Sequence, residues 1–321
     1  MLLQGLAIIT GLTLTIWSAD RFVDGAADTA QHLGISPLII ALTIMAVGTS
    51  APEIATSALA AAQGFPDLGV GNAIGSNIAN IGLIAGITAL VAPLRLRSAS
   101  LRRELPLLIL VTLACLLLLT DGSLGRLDAG LMLLMLVGAL FYFARMARRP
   151  QGDDPIVSTG PAAEGPKRSL RMALLQLGLG LGVLLGAAQL LVWGASNLAT
   201  TLGVPELVVG LSIVAVGTSL PELATCVAAA LKGKHDIAVG NIIGSNLFNL
   251  LIVLPLPGLI APGPLASGVL ERDYPVMIGL SLLIVVLARG FGGRGIIHRW
   301  QGGVFLLLFL GYQCLLFLMP G

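Results

Sequence analysis

Gly48-Thr49-Ser50-Ala51-Pro52-Glu53 returns as Gly217-Thr218-Ser219-Leu220-Pro221-Glu222, and each copy sits inside a long apolar run. An ionised carboxylate in the middle of a membrane span costs about 2.5 to 3.5 kcal/mol on insertion scales. Each proline removes a helical hydrogen bond and crowds the carbonyl four residues earlier, Gly48 or Gly217, at about 3 kcal/mol or more in a helix interior. At membrane depth the freed carbonyls need a partner. A kink alone would need only the proline. A kink beside Thr, Ser and Glu, present twice, points to coordination of a cation.

Outward from the two phrases the likeness continues without a gap from Gly25 to Asn80, at the constant offset of 169 that separates Glu53 from Glu222. Leu38 to Glu53 lies over Leu207 to Glu222. Further on, Gly71-Asn-Ala-Ile-Gly-Ser-Asn77 and Asn80 lie over Gly240-Asn-Ile-Ile-Gly-Ser-Asn246 and Asn249. Ser76 and Asn80 are four apart and share a helical face, as do Ser245 and Asn249. With Thr49, Ser50, Thr218 and Ser219 these residues offer hydroxyl, amide and carbonyl oxygens around Glu53 and Glu222, the formal charges placed near the centre of a span. No intramembrane Lys or Arg is available to pair with them, so a bound cation is the remaining counter-charge. An all-oxygen donor set suits a hard cation and not Zn²⁺ or Cu, and a dry site with many protein oxygens favours Ca²⁺ over the strictly octahedral Mg²⁺. Two carboxylates balance one Ca²⁺ or a pair of Na⁺ ions, and competition for one site is a route to exchange.

The 321 residues are 56% hydrophobic and only 11% charged, with a mean hydropathy of +0.96. That composition excludes a water-soluble domain. Apolar runs of about 20 residues, the length that crosses the hydrocarbon, predict ten spans near 3 to 30, 36 to 62, 68 to 92, 104 to 120 and 127 to 146, then 170 to 200, 205 to 231, 236 to 254, 273 to 289 and 299 to 318. The basic residues orient them, because Lys and Arg gather in short cytoplasmic loops. With the N-terminus outside, sixteen of the eighteen fall on the cytoplasmic side, and only Arg126 and Arg272 fall on the other. Both termini then face outward. Met1-Leu2-Leu3-Gln4-Gly5-Leu6 lacks the basic flank and cleavage site of a secretory signal and reads as a retained first span. Residues 147–169 have linker composition and divide a first five-span half, 1–146, from a second, 170–321. Five is odd, so the second half enters the membrane in the opposite orientation. The expected fold is thus an all-α polytopic membrane protein of ten helices in two inverted-topology repeats, an organisation that points to alternating-access transport at the repeat interface.

Other features carry bland readings. Cys115, Cys226 and Cys314 read as buried free thiols, and His32, His235 and His298 as solvated histidines at span ends. Asp153-Asp154 in the linker lacks the other ligands of a calcium loop. Asp20, Asp24 and Asp28 could draw cations to an entrance but read better as a solvated helix end. Gly178, Gly182 and Gly186 form a small-residue stripe, read as a helix-packing face. Topology accounts for the basic loops, so no nucleic-acid partner is expected. A channel would need a continuous pore, usually between symmetric subunits. A hydrolase would need a nucleophile or zinc motif that is missing.

At these residues the chain resembles the sodium/calcium exchangers of the cation/calcium antiporter superfamily in their compact prokaryotic form, over essentially its whole length. The paired GTSxPE and GNxIGSN segments carry the likeness. The resemblance implies ten helices in two inverted five-helix repeats, with spans 2, 3, 7 and 8 forming the ion-binding core. Spans 1 and 6 would be a long tilted pair that slides across it. It implies Glu53 and Glu222 as acidic ligands, Thr49, Ser50, Thr218 and Ser219 as hydroxyl and backbone ligands, and carbonyls from Ala46 and Ala215. Ser76, Ser245, Asn80 and Asn249 complete the set. Some relatives have Asp where this chain has Asn249, so one carboxylate linked to protons or potassium is absent. Proton-coupled calcium antiporters, the alternative, typically resemble GNxxE at the core, whereas this chain reads GTSxPE twice, which favours sodium coupling. The expectation is a non-enzymatic antiporter of the plasma membrane that transports Ca²⁺ and Na⁺, needs no cofactor and works as a monomer.

Overall fold

The computed structural model describes residues 2–95, 101–147, 168–202, 215–289 and 295–318. The interior of the expected linker and the start of the span expected at 205 to 231 lie outside the described residues, as do Arg97 and Arg294.

Helix α1 (Leu2–Leu33) is followed by α2 (Pro37–Thr49) and α3 (Ala51–Ala62), a pair bent by 43°. Ser36 caps α2 through its side chain, and Pro37 sits in the first turn, where its missing N–H costs nothing. The bend falls at Ser50, two residues ahead of Pro52, as the proline chemistry requires. Then come α4 (Pro66–Val91), α5 (Leu101–Leu118) and α6 (Arg126–Ala147). After the linker follow α7 (Leu170–Thr201), the short α8 (Ala215–Thr218), α9 (Leu220–Leu231), α10 (His235–Ile260), α11 (Tyr274–Arg289) and α12 (Arg299–Leu318). Among the described residues five helices are long and apolar enough to cross a membrane, or six with the bent pair counted as one.

Two features recur at the offset of 169 residues. The turn after α3 closes on Gly64 at φ +87°, and the turn after α9 on Gly233 at φ +69°, the left-handed stop that glycine adopts without a Cβ penalty. Helix α4 loosens into a π turn at Asn80–Ala85, and α10 at Asn249–Val253, a local widening that recurs at functional sites. The eighth span was expected to stop at 254, before Pro255 and Pro257. It runs on to Ile260, because the π turn, closed by Leu254 N–H on the Asn249 carbonyl at 2.8 Å, widens the helix where a proline ring would otherwise crowd a carbonyl.

Helices α4 and α10 lie at the centre and touch each other; α2 packs on α10, and α3 and α9 each pack on both. Helix α5 packs on α11, α6 on the end of α10, and α12 on the end of α4. Two short antiparallel ribbons join loops of different halves. Strand β1 (Leu94–Arg95) pairs with β4 (Ile296–Ile297), and β2 (Ser123–Leu124) pairs with β3 (Gly263–Pro264). Each ribbon joins loops that the basic-residue count puts on one side of the bilayer.

Helices α1 and α7, at 32 residues each, are about 48 Å long, more than a 30 Å hydrocarbon core requires. They pack antiparallel with their backbones in contact. A Cβ on Gly11 would lie 2.8 Å from Leu191 N, and one on Gly180 2.9 Å from Phe22 Cα. At the other ends, a Cβ on Gly25 would lie 2.5 Å from Leu177 N and one on Gly194 3.0 Å from Gln4 O. Gly180 and Gly194 stand 169 residues after Gly11 and Gly25. The packing stripe expected at Gly178, Gly182 and Gly186 is therefore corrected. Those three are exposed, and the neighbouring face of the same helix makes the contact.

The acidic residues of α1 are corrected too. Lys232 Nζ lies 2.7 Å from Asp20 Oδ1 and 2.9 Å from Asp24 Oδ1, and Lys234 Nζ lies 2.8 Å from Asp24 Oδ1. Arg168, just before α7, pairs with Asp28 at 3.1 Å, and its carbonyl meets His32 Nε2 at 2.6 Å. These carboxylates are neither an open entrance nor a merely solvated end. They fasten α1 to the turn after α9 and to the start of α7. Of the cysteines, Cys115 and Cys226 are buried as expected, whereas Cys314 is exposed.

Candidate ion-binding site

The bends at Ser50 and Ser219 have nearly the same backbone, φ −81°, ψ 9° and φ −88°, ψ 6°. Each opens a helix with proline in its first turn and a glutamate directly after it. That glutamate is turned inward: Glu53 is 1% exposed and Glu222 2%. The two copies meet across the interior in a reciprocal pair of hydrogen bonds. Ser50 Oγ donates to Glu222 Oε1 at 3.1 Å, and Ser219 Oγ donates to Glu53 Oε1 at 3.4 Å. Thr49 and Thr218 add hydroxyl interactions to Glu222 and Glu53 respectively. Among the described residues no Lys or Arg forms an ion pair with either carboxylate.

Several buried oxygens of the two recurring motifs lack a partner. Glu53 Oε2, Glu222 Oε2, Asn249 Oδ1, Ser245 Oγ, Asn77 Oδ1 and Asn246 Oδ1 are buried with no hydrogen-bond partner among the described residues. Leaving buried polar atoms unpaired costs about 1 to 3 kcal/mol each, so the free oxygens of Glu53 and Glu222, which the serine contacts bring together, fit a cation. No three of His, Cys, Asp and Glu converge among the described residues. The donor set is two carboxylates among neutral oxygens, the chemistry of Ca²⁺ or Na⁺.

The residues expected at the site fall as follows. Thr49, Ser50, Glu53, Ser219 and Glu222 are brought together by contacts between the halves, and Thr218 stands on the last turn of α8 beside Ser219. Ser76, Asn80, Ser245 and Asn249 are all buried on the two central helices. Asn80 and Asn249 open the two π turns, so each begins the widened stretch. The Ala46 carbonyl accepts Ser50 N–H at 3.0 Å and the Thr49 hydroxyl at 3.3 Å, which leaves it partly engaged within its own turn. Ala215 is the first described residue of α8, 169 residues after Ala46.

Two pairs of asparagines join the site without having been singled out. Asn72 Nδ2 donates to the Glu53 carbonyl and to Ser57 Oγ, both at 3.0 Å, and Ser57 Oγ donates to the Gly69 carbonyl at 3.0 Å. At the matching positions Asn241 Nδ2 donates to Cys226 Sγ at 3.6 Å, and Cys226 Sγ to the Ala238 carbonyl at 3.5 Å. A thiol thus stands where the first half has a hydroxyl. Asn77 Nδ2 reaches the Asn246 carbonyl at 3.3 Å, pinning the two central helices to each other. Both pairs belong to the repeated GNxIGSN segments. Recurrence of the whole motif, and not only of its serine and last asparagine, was the signal that could have found them.

A family model described as "Sodium/calcium exchanger protein" matches residues 3–145 and again 172–318. The chain is 46% identical over 317 residues to a protein named CaxA from Alkalimonas amylolytica, covering 99% of each. It is 42% identical to "Inner membrane protein YrbG" from Escherichia coli (strain K12), covering 97% of this chain and 98% of that one. Its structure is similar to that of the sodium-calcium exchanger NCX_Mj soaked with zero Na⁺ and Ca²⁺. The TM-score is 0.84 at 31% identity, over 98% of this chain and 99% of the other.

Proposed function

From the premise that this chain belongs to the sodium/calcium exchanger protein family, we propose that it is a secondary active antiporter exchanging Na⁺ for Ca²⁺ by alternating access at the Glu53–Glu222 site. One observation carries the reading. Two buried carboxylates each accept a hydroxyl from the opposite half through one oxygen and leave the other without a partner. A buried pair of like charges with no basic partner among the described residues needs a cation between them or a proton on one of them. One Ca²⁺ or two Na⁺ ions would balance them equally, so each ion displaces the other.

The ligands in this reading are Glu53, Glu222, Thr49, Thr218, Ser50, Ser219, Ser76, Ser245, Asn80 and Asn249, with the carbonyls of Ala46 and Ala215. The fold is ten spans in two halves, 1–146 and 170–321, of opposite orientation, joined by a cytoplasmic linker at 147–169, with both termini outside the plasma membrane. The matched bends, glycine turns and π turns support the repeat, as does a family model that matches twice. Exchange would proceed by shifting α1 and α7 together across the core, in a chain acting as a monomer. An ion-free site resists that shift, because closing two uncompensated carboxylates into a dry cavity is costly.

Radioactive Ca²⁺ uptake into proteoliposomes tests the reading. With Na⁺ inside, an outward Na⁺ gradient drives uptake, while K⁺, choline and pH gradients do not, and Glu53→Gln or Glu222→Gln abolishes it. Uptake driven by a pH gradient alone, with Na⁺ without effect, would replace the coupling ion. Uptake without any counter-ion would end the antiport reading.

A further inference from the structure

We infer that Asn241 is a positioning residue for ion binding, holding the proton of the Thr49 hydroxyl away from the ion; the inference rests on the ion-site reading above. A hydroxyl can bind a cation only through its lone pairs, so its proton must be parked on an acceptor that points elsewhere. Thr49 Oγ1 has one proton and two acceptors within hydrogen-bond reach, Asn241 Oδ1 at 3.4 Å and the Ala46 carbonyl at 3.3 Å. A proton held on Asn241 leaves the lone pairs of the hydroxyl free to face an ion bound at Glu222.

Asn241 is built to hold that proton. It is fully buried, with 0% exposure, and its orientation is fixed by Nδ2, which donates to Cys226 Sγ at 3.6 Å. The thiol is itself fixed by the Ala238 carbonyl at 3.5 Å. The amide is therefore held on one edge by α9 and presents its oxygen to the bend of the opposite half. The Ala46 carbonyl is a poorer acceptor for the same proton, since it already receives Ser50 N–H at 3.0 Å. With its proton held on Asn241, the Thr49 hydroxyl is set as a ligand of the ion. Asn241 touches the second half through Cys226 and the first through Thr49, so ion arrival is registered in both.

The test reads Ca²⁺ binding to the purified full chain as the Ca²⁺ concentration that half-saturates thermal stabilisation, for wild type, Asn241→Ala, Thr49→Val and the double variant. Asn241→Ala should raise that concentration roughly three- to tenfold, the effect of one or two neutral hydrogen bonds. The double variant should be no worse than Thr49→Val alone, because Asn241 acts through the hydroxyl that Thr49→Val removes. The same cycle with Thr218→Val should be multiplicative. If Asn241→Ala does not fold, Asn241→Ser keeps a hydroxyl on the Cys226 side while withdrawing the oxygen from Thr49, and the cycle is read on it. Multiplicative effects with Thr49→Val, or equal coupling to Thr49 and Thr218, overturn the inference, as does the absence of Ca²⁺-dependent stabilisation in the wild type. Failure of Na⁺ to drive uptake, with Ca²⁺ stabilisation intact, overturns the coupling ion and leaves Asn241 where it is.

Discussion

Ser50 reaches across the junction of the two halves to give its hydroxyl proton to Glu222 at 3.1 Å, and Ser219 returns the contact to Glu53 at the longer 3.4 Å. The two bonds are the same element of the repeat seen from its two sides, yet they differ in length. A hydrogen bond to a charged group contributes about 1.5 to 3 kcal/mol, and the shorter one should contribute more. Ser50→Ala is therefore expected to raise the half-saturating Ca²⁺ concentration for uptake about tenfold or more, and Ser219→Ala by less. Equal effects would mean that the difference in length has no energetic meaning.

Asp24 meets both Lys232 and Lys234, whereas Asp20 meets Lys232 alone. Partly exposed pairs contribute about 0.2 to 1 kcal/mol each. Asp24→Asn should lower the melting temperature of the detergent-solubilised protein more than Asp20→Asn, and Lys232→Ala with Lys234→Ala by a few degrees. All three differences should shrink near 1 M salt, where the screening length is about 3 Å. Differences that persist at high salt would show that lost packing and not charge is responsible.

Gly25→Ala would place its Cβ 2.5 Å from the backbone nitrogen of Leu177. Backbone cannot rotate out of the way as a side chain can, so the helices must part, and overpacking of this kind costs about 1 to 3 kcal/mol. Gly178→Ala meets no described atom within 4 Å. The first variant should melt lower and exchange more slowly, and the second should match the wild type. The opposite order in a thermal melt would put the packing face back on the stripe of Gly178, Gly182 and Gly186.

Cys226→Ser makes the second half read as the first does at Ser57. The bond from Asn241, now 3.6 Å to sulfur, should shorten toward the 3.0 Å that joins Asn72 to Ser57. Hydroxyls accept hydrogen bonds better than thiols, so the variant is expected to fold and to bind Ca²⁺ at least as tightly as the wild type. A loss of more than about threefold would show that sulfur, with its larger volume, is needed for packing at that place.

What the sequence made legible follows from repetition. The bends at Ser50 and Ser219 could be placed because proline acts on carbonyls of its own chain, four residues back. The strands β1 with β4 and β2 with β3 pair loops that the basic-residue count groups together. What stayed hidden depends on partners far away in the chain. The lysines that bind Asp20 and Asp24 lie more than two hundred residues later, so a solvated end was the simpler reading. The two faces of α7 both carry glycine. Only the partner decides between them, and the clue was a spacing of fourteen shared by Gly11 with Gly25 and Gly180 with Gly194. Asn241 was hidden because an amide beside a glycine-rich motif has no preferred role until its neighbours are known.

The close approach of α1 and α7 has one more consequence. Glycine contacts near both ends of a pair about 48 Å long leave no slack between the two rods, so a displacement of either is delivered to the other at once. Each rod is long and apolar enough to cross the bilayer. In the proposed exchange cycle, a push that uncovers the site on one face would arrive on the far face as a stopper. Tightness against leak would then need no second gate and no timing signal, because the geometry of a seesaw forbids both ends from being up together.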